Sequence, residues 1–407
     1  MKKIYTFCEK YQIEIIIMLF CLPALTHIRS LSVFRTPYFL IDYSTGFGGR
    51  KLLGQICSLW LPEYGIRKRH ILSFFYLAHF VSITLFAHFC GICLRKNKGN
   101  QNYWFLFAVL FIYLLCPFSF KGITQNIGIS IDIFIIVCAL IFCYLYVNKR
   151  GSVFYYSSTF LLLILSCLTH HIFCCIYFPL YLSLFIYDIY NQGFDKKKFL
   201  IYGGMTICLF ILFCYIVFFA KMDVDIETLM NKLRQRTTAL ELSDEAVYYE
   251  YYASLSEHLP KYIIPCLKRN LFRFVLQPIV LFPLFFLFNC HFLVSLNSEK
   301  TKNNRTLYYL MALSQLLIIP AFVMAIDYGR WYYAYFFCLF MQITTLTSIK
   351  DKCIDNTICL IIRILKQPFV SIIFIVGILF IVTMGYANGD VVTAPFVEYL
   401  LDCLSIK

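Results

Sequence analysis

The sequence predicts an all-α, polytopic membrane protein, and three observations carry that prediction. Hydrophobic residues make up 60% of the 407 residues and charged residues only 14%, whereas about a quarter of an ordinary soluble domain is charged. The mean hydropathy is +0.73. Apolar runs of about 17 to 25 residues recur along the chain, and each can cross the hydrocarbon core as a helix. Helices are expected because a backbone in lipid must satisfy its own hydrogen bonds.

Taken in order, the apolar runs predict about 11 transmembrane helices. The first run is preceded by Lys2, Lys3 and Lys10, and we interpret it as a retained signal anchor. These cations predict a cytoplasmic amino terminus. With about 11 helices, the carboxyl terminus is then predicted to lie outside. Most short basic clusters then fall in the cytoplasm, and only Arg67 to Arg69 falls outside. The predicted helices are 12–29, 70–94, 103–117, 127–147, two within 153–187, 199–220, 271–290, 307–326, 331–348 and 369–386.

The polar segments complete a single predicted domain of residues 1–407. The first outer loop, 30–69, contains an apolar but interrupted piece, 52–64, expected to be a helix at the membrane interface. The long run 153–187 is predicted to break at Thr169 to His171 into two short helices.

The second outer loop, 221–270, is predicted to be helical. Amphipathic helices are expected over 226–242 and 244–255. Asp225 and Ser243 precede them and are typical helix N-caps.

The formal net charge of +14 does not indicate nucleic acid binding, because the basic residues are spread over many short segments. Membrane topology and anionic lipid explain them better. The 19 cysteines lie mostly inside apolar runs and are interpreted as small hydrophobic residues. We therefore expect no disulfide framework and no cofactor, and no cluster of ligands supports a divalent metal.

A short polar stretch, Asp42 to Lys51, stands between apolar flanks and is the strongest candidate for part of a site. It holds one carboxylate, three glycines and two adjacent cations, Arg50 and Lys51. Glycines allow a sharp bend or a close backbone approach to a ligand. They favour a turn over a phosphate cradle, and Asp42 has two open interpretations: a cap of the turn or a chemical group.

With the predicted topology, unusual polar residues from several distant segments fall at the outer ends of helices. Asp132 lies within the outer half of its helix, where an ionisable residue is costly and is a functional candidate. His170 and His171 are open to a structural interpretation as helix breakers, and Asp327 and Arg330 as an ion pair on one helical face. The residues at the outer ends are Asp42, Arg50, Lys51, Lys121, His170, His171, Asp327 and Arg330.

This set suits chemistry on a phosphate-linked sugar at the outer interface. Cations would hold the phosphate and stabilise the charge that grows on it, and the candidates are Arg50, Lys51, Lys121 and Arg330. A carboxylate or an imidazole would take the proton of the acceptor hydroxyl, and the candidates are Asp42, His170, His171 and Asp327. No hydrolase, kinase, P-loop or dinucleotide-binding motif is present.

The amino-terminal plan resembles that of the GT-C membrane glycosyltransferases. An outward first helix is followed by an outer loop with an early Asp and then by an interfacial helix, over the chain to about Leu94. The resemblance implies a polyprenyl-phosphate sugar donor, Asp42 as the catalytic base, and Arg50 and Arg330 as phosphate-binding residues. Asp42 is followed by Tyr43, so the frequent acidic pair of that family is absent here.

The layout of the whole chain is similar to that of bacterial O-antigen and capsule polymerases of the Wzy and EpsG type. The shared features are the number of helices, two cationic outer segments, a histidine at the outer end of a central helix, and a late Asp-Tyr-Gly-Arg-Trp stretch from Asp327 to Trp331. Those enzymes join pyrophosphate-linked repeat units on the outer face of the membrane.

Both resemblances imply one class of function, the assembly of surface glycan or exopolysaccharide from polyprenyl-linked sugars in the bacterial inner membrane. A polymerase is favoured over a GT-C-type single-sugar transferase by the spread of cations over several outer segments. A flippase or transporter for the same lipids is the alternative of another class, and it would place ionisable groups near the midplane. The expected partners are the lipid-linked sugar and membrane lipids, without nucleic acid.

Overall fold

The computed structural model is almost entirely helical over the part of the chain that it describes. Those residues are 10–27, 35–116, 119, 130–220, 222–237, 240–252, 264–265, 282–298, 302–324, 328–382, 385–387 and 390–392. The helical structure confirms the predicted all-α class, and one short antiparallel hairpin, Gly385–Ala387 with Asp390–Val392, accompanies the helices. The helices in chain order are α1 (Gln12–Cys21), α2 (Pro37–Leu40), α3 (Leu52–Trp60), α4 (Lys68–Lys96), α5 (Gln101–Leu115), α6 (Asp132–Lys149), α7 (Val153–Thr169), α8 (Phe173–Ile176), α9 (Phe178–Tyr190), α10 (Lys196–Cys214), α11 (Ile226–Arg236), α12 (Asp244–Tyr251), α13 (Phe282–Ser298), α14 (Lys302–Ser314), α15 (Ile319–Met324), α16 (Tyr328–Ser348), α17 (Lys352–Leu365) and α18 (Pro368–Val382).

Several of these helices are long and apolar enough to cross a membrane, as expected for a multi-pass membrane protein. Among the described residues, four meet that test alone: Lys68–Lys96, Asp132–Lys149, Lys196–Phe219 and Arg305–Phe322. A fifth span results if α17 and the first part of α18, which meet at 106°, are counted together. Pro368 begins α18, and proline is a common cause of so sharp a bend. Shorter apolar helices coincide with several of the other predicted crossings, and the count of about 11 stays a prediction.

Contacts divide the chain into two compact units, each built from three separate stretches. The single polytopic domain predicted from the sequence stays a prediction. Unit 1 comprises Met1–Phe89, Gly128–Cys174 and Leu200–Pro265. Unit 2 comprises Cys90–Ile127, Cys175–Phe199 and Cys266–Lys407.

In unit 1, local sequence signals explain the main elements. Helices α6 and α7 pack together and are joined by a tight turn in which Gly151 has a φ of +82°. Asp225 and Ser243 cap α11 and α12 as predicted, because their side chains accept from the backbone N–H groups of Thr228 and Ala246.

Helix α3 is the predicted helix of the first outer loop. It packs on α2 because Gly54 allows a very close approach, and a Cβ there would lie 1.8 Å from the Ile41 carbonyl oxygen. Its exposed end carries Leu59 and Trp60, at 74% and 81% exposure, as expected for contact with a membrane interface.

Unit 2 is a bundle whose core is formed by α9, α14 and α16 together with α5 and α13. The ring of Tyr113 stacks on that of Phe340 with centroids 4.3 Å apart. Asp351, which caps α17, accepts hydrogen bonds from the hydroxyls of Tyr187 and Tyr308 and so ties three helices together.

Candidate functional site

The segment 42–51, here called the glycine loop, lies in unit 1 and is shaped by local hydrogen bonds. Asp42 caps a short 3-10 turn, Tyr43–Thr45, and accepts from the backbone N–H of Ser44 at 3.0 Å. Gly46 follows the turn with a φ of +103°, a conformation that glycine adopts without strain. The structure therefore shows the capping role of Asp42, which is compatible with a chemical role for the same carboxylate.

Lys51 closes the glycine loop from inside. Its side chain is buried, with 1% exposure, and its Nζ donates to the Gly46 carbonyl at 2.7 Å and to both oxygens of Thr45 at 3.3 Å. Burial lowers the pKa of Lys51 to about 8, although Asp223 and Asp42 oppose that shift. These contacts favour a loop-closing role over the phosphate-binding role predicted for it.

Helix α11 brings two cations to Asp42 that the sequence analysis did not single out. Arg236 Nη1 lies 3.4 Å from Asp42 Oδ2 and also donates to the Leu40 carbonyl. Lys232 Nζ donates to the Ser44 hydroxyl at 2.9 Å, and that hydroxyl donates to Asp42 Oδ1. The spacing of Lys232 and Arg236, four residues apart, is the sequence signal that could have indicated a shared helical face.

The other side of the loop contacts the break between α7 and α8. The Arg50 N–H donates to the Leu168 carbonyl at 3.1 Å. A Cβ on Gly49 would lie 3.2 Å from His171 Nδ1 and 2.7 Å from Ile216, so only glycine permits this approach. The predicted helix break at Thr169 to His171 is confirmed, and it brings His171 against the loop.

The Nδ1 atom of His171 faces Gly49 of the glycine loop. This atom is buried and has no hydrogen-bond partner among the described residues. Burial, and then the charge of Arg50, lower the pKa of His171 to about 3, so the imidazole is neutral at neutral pH. It can therefore accept or donate one hydrogen bond, but it does not add a cation to the site.

Arg50 stands in an uncommon backbone conformation. Its φ is +67°, which is costly for a residue with a Cβ and is often found at functional sites. The guanidinium lies over the ring of Tyr38, 5.8 Å from its centroid, and Tyr38 contacts the ring of Tyr251 at 6.3 Å. The Tyr251 hydroxyl is buried without a hydrogen-bond partner among the residues that the structure describes.

Aromatic side chains form the outer edge of the loop. The rings of Tyr43 and Phe47 stack with centroids 5.5 Å apart, and Phe47 contacts Tyr215 at 5.7 Å. Phe47 is 43% exposed. Burial raises the pKa of Tyr43 to about 12, so its phenol is protonated at neutral pH.

His170 has a structural place in the same break. It is buried and ends α7, and its Nδ1 accepts from the Ile172 N–H at 3.4 Å. Its ring lies 5.2 Å from that of His171. This arrangement favours the helix-breaking interpretation for His170.

Asp132 is the first residue of α6 and of the candidate span Asp132–Lys149, whereas the sequence predicted it a short way into its helix. It is fully buried, and its N–H donates to the Ser130 hydroxyl at 3.3 Å. A carboxylate in the first turn of a helix is favoured by the helix dipole, which offsets part of the cost of burial. The position explains how unit 1 tolerates this buried acid.

The remaining predicted residues belong to unit 2 or are not described. Arg330 lies near the start of α16, with its guanidinium over the ring of Trp331 at 5.2 Å. Lys121 and Asp327 lie outside the described residues, and so does the expected pairing of Asp327 with Arg330.

Neither a search for metal-binding groups nor comparison with known proteins assigns a ligand or a family to the chain. The described residues contain no group of three or more His, Cys, Asp or Glu side chains that could hold a metal ion. Comparison of the chain with protein-family models, with curated proteins and with solved structures finds no match.

Proposed function

We propose that this protein is a membrane glycan-assembly enzyme that transfers or polymerises sugars from polyprenyl phosphate or pyrophosphate carriers on the outer face of the bacterial inner membrane. One observation carries the proposal. A carboxylate, Asp42, is held by the cation Arg236 on a short loop that also carries Arg50 and contacts Lys232 and His171. Among the described residues of unit 1, this is where acids, cations and an imidazole meet beside apolar helices.

In the proposed reaction, the acceptor hydroxyl attacks the anomeric carbon of the donor sugar while the bond from that carbon to the phosphate oxygen breaks. Asp42 takes the proton of the acceptor hydroxyl as general base. The hydrogen bond from Ser44 and the ion pair with Arg236 fix the orientation of its carboxylate. His171 is the second candidate base, because it is neutral and its Nδ1 has no partner among the described residues.

The leaving phosphate gains negative charge as the glycosidic bond breaks. Arg50 and Lys232 are proposed to stabilise that charge, and a guanidinium can do so through two parallel hydrogen bonds. Arg236 is proposed as a positioning residue, because its Nη1 is engaged by Asp42 and the Leu40 carbonyl. The stacked rings of Tyr43 and Phe47 offer an apolar face to a sugar ring.

The test compares two carboxylates of unit 1 that each pair with an arginine. Asp42→Asn is expected to reduce product formation by about 10²- to 10⁴-fold, because the amide cannot take the proton. Asp244→Asn is the matched control, since Asp244 pairs with Arg234 at 2.8 Å on the exposed surface. Product is measured with membranes that contain each variant at equal amounts and a radiolabelled polyprenyl-linked sugar.

Each outcome assigns or removes the function. Long products identify a polymerase, and a single added sugar identifies a GT-C-type transferase. Translocation of the intact lipid-linked sugar without a new glycosidic bond would identify the flippase class instead. Equal activity of Asp42→Asn and Asp244→Asn would remove Asp42 from the chemistry. Arg330→Ala tests the phosphate-binding role predicted for that residue.

A further inference from the structure

The break between α7 and α8 holds two cysteines of unit 1 whose sulfur atoms lie close together. Cys167 is in the last turn of α7, and Cys174 is in α8, seven positions later in the chain. Their Sγ atoms are 4.0 Å apart. The two sulfurs are therefore close to van der Waals contact, and about 2 Å of further approach would give the length of a disulfide bond.

The backbone between the two cysteines is folded back by local hydrogen bonds. The Phe173 N–H donates to the His170 carbonyl at 2.9 Å. The Cys174 N–H donates to the His171 carbonyl at 3.1 Å. Because this turn already brings Cys174 to Cys167, rotation of the cysteine side chains can supply the remaining approach.

The two thiols differ in their access to solvent. Cys167 is fully buried, at 0% exposure, whereas Cys174 is half-buried. An oxidant can therefore reach Cys174 first, and Cys167 lies beside it to complete an exchange. An accessible thiol next to a second, resolving thiol is a common arrangement in cysteine pairs that oxidise reversibly.

Another buried cysteine shows a packing role by contrast. The Cys290 thiol in α13 donates to the Leu287 carbonyl of its own helix at 3.2 Å. A single buried cysteine of this kind behaves as a small hydrophobic residue with a weak donor. The Cys174 thiol is directed instead at the sulfur of Cys167, across a break between two helices.

We propose that Cys167 and Cys174 form a disulfide bond that closes the break between α7 and α8. The bond forms by exchange with a disulfide oxidant, such as oxidised glutathione or the disulfide of a thiol oxidoreductase. The Cys174 thiolate attacks one sulfur of the oxidant and releases the first oxidant thiol. Cys167 then attacks the Cys174 sulfur and releases the second. Two protein S–H bonds and the S–S bond of the oxidant thus become one protein S–S bond and two S–H bonds of the reduced oxidant.

The bridge encloses the residues of the break that contact the glycine loop. Leu168 and His171 lie between the two cysteines. The Leu168 carbonyl accepts from the Arg50 N–H at 3.1 Å, and His171 Nδ1 faces Gly49. The predicted topology places this break on the outer side of the membrane, where disulfides persist. The bond does not require that the glycine loop carry out the proposed reaction.

Mass spectrometry of the full chain in its membrane tests the proposal. The membranes are treated with oxidised glutathione, free thiols are blocked with N-ethylmaleimide in denaturant, and the protein is digested with chymotrypsin without reductant. Chymotrypsin cleaves after Leu168 and Phe173, so the two cysteines fall in separate peptides unless a bond joins them. Cys174→Ser removes the half-buried partner. Cys175→Ser is the matched control, because it changes the adjacent thiol, which is also half-buried.

The expected result is a linked pair of peptides that contains Cys167 and Cys174 and is separated by dithiothreitol. The linked pair is expected in the wild-type protein and in Cys175→Ser, and it is expected to be lost in Cys174→Ser. Cys167 blocked by N-ethylmaleimide in the wild-type protein would overturn the proposal, whether Cys174 then carries maleimide or glutathione. A bond from Cys167 to Cys175 in the wild-type protein would overturn it as well. The measurement needs no sugar substrate, so its outcome is independent of the proposed function.

Discussion

Two of the capping aspartates, Asp42 in unit 1 and Asp351 in unit 2, have surroundings that differ in kind. Asp42 of unit 1 is partly exposed and pairs with the cation Arg236. Asp351 of unit 2 is buried and accepts from two tyrosine hydroxyls and from the Cys353 N–H at 2.9 Å. The donors to Asp351 enclose it in the core, whereas Asp42, which also accepts from Ser44 and Arg236, lies on a loop that is partly open to solvent. Asp351 is therefore the structural reference against which Asp42 can be judged.

The largest effect on stability is expected at Asp351. Asp351→Ala leaves the hydroxyls of Tyr187 and Tyr308 unpaired in the core and removes a helix cap. The expected loss is about 3 to 5 kcal/mol in the free energy of unfolding. Thermal unfolding followed by size-exclusion chromatography of the detergent-solubilised protein measures it, with Asp42→Asn alongside. Similar losses of stability for the two variants would show that Asp42 also has a mainly structural role.

The next effect links backbone packing to the position of Asp42. Gly54→Ala places a Cβ against the Ile41 carbonyl, one residue before Asp42, and we expect a loss of about 1 to 3 kcal/mol together with lower activity. The control is Gly203→Ala in α10, where nothing lies within 4 Å of the added Cβ. That substitution is expected to stabilise the helix by about 0.5 to 1 kcal/mol. Full activity in Gly54→Ala would show that Asp42 tolerates displacement.

A smaller effect, which depends on pH, is expected at Lys51. The pKa of Lys51 is about 8 in the folded protein against 10.5 for a free side chain, so the unfolded chain binds more protons between these values. The free energy of unfolding therefore rises as pH increases from about 8 to 10.5. Lys51→Met lacks this rise and leaves the Gly46 carbonyl without its donor. The melting temperatures of the wild-type protein and of Lys51→Met are measured from pH 7 to pH 10.5. Parallel plots of melting temperature against pH for the two proteins would contradict the prediction.

The smallest effect is expected at Arg234, whose ion pair with Asp244 is solvent-exposed. Arg234→Gln is expected to cost less than about 1 kcal/mol and to leave activity unchanged. Arg236→Gln, two residues away, removes the buried partner of Asp42 and is expected to lower activity. Thermal unfolding followed by circular dichroism measures the stability of the two variants, and product assays measure their activity. A loss of activity in Arg236→Gln alone distinguishes the positioning pair with Asp42 from the exposed pair with Asp244.

The parts of the fold that depend on neighbouring residues were predictable. Apolar runs indicated membrane-spanning helices, and Asp225 and Ser243 were identified as caps because a cap bonds to backbone within three residues. The helix break at Thr169 to His171 followed from the length of the apolar run. Each of these signals is local.

The candidate site was only partly predictable. Asp42 and Arg236 are 194 residues apart, and no local pattern joins them. Arg50 and Lys51 look equivalent as neighbouring cations, yet the turn sends one over Tyr38 and the other inside the loop. Which way a side chain points after a left-handed backbone residue depends on tertiary contacts, and the sequence does not display those.

The span Lys196–Phe219 lies beside the glycine loop. Only 22% of its apolar window is buried against the described part of the protein, so most of that surface is open to lipid if the helix crosses a membrane. The same helix ends in the turn Tyr215–Phe219, where Tyr215 contacts Phe47 and Ile216 limits the space beside Gly49. A lipid-facing helix adjusts its tilt to the thickness of the bilayer. Acyl-chain length is thus expected to act on the glycine loop much as a substitution would, with the membrane serving as an adjustable part of the site.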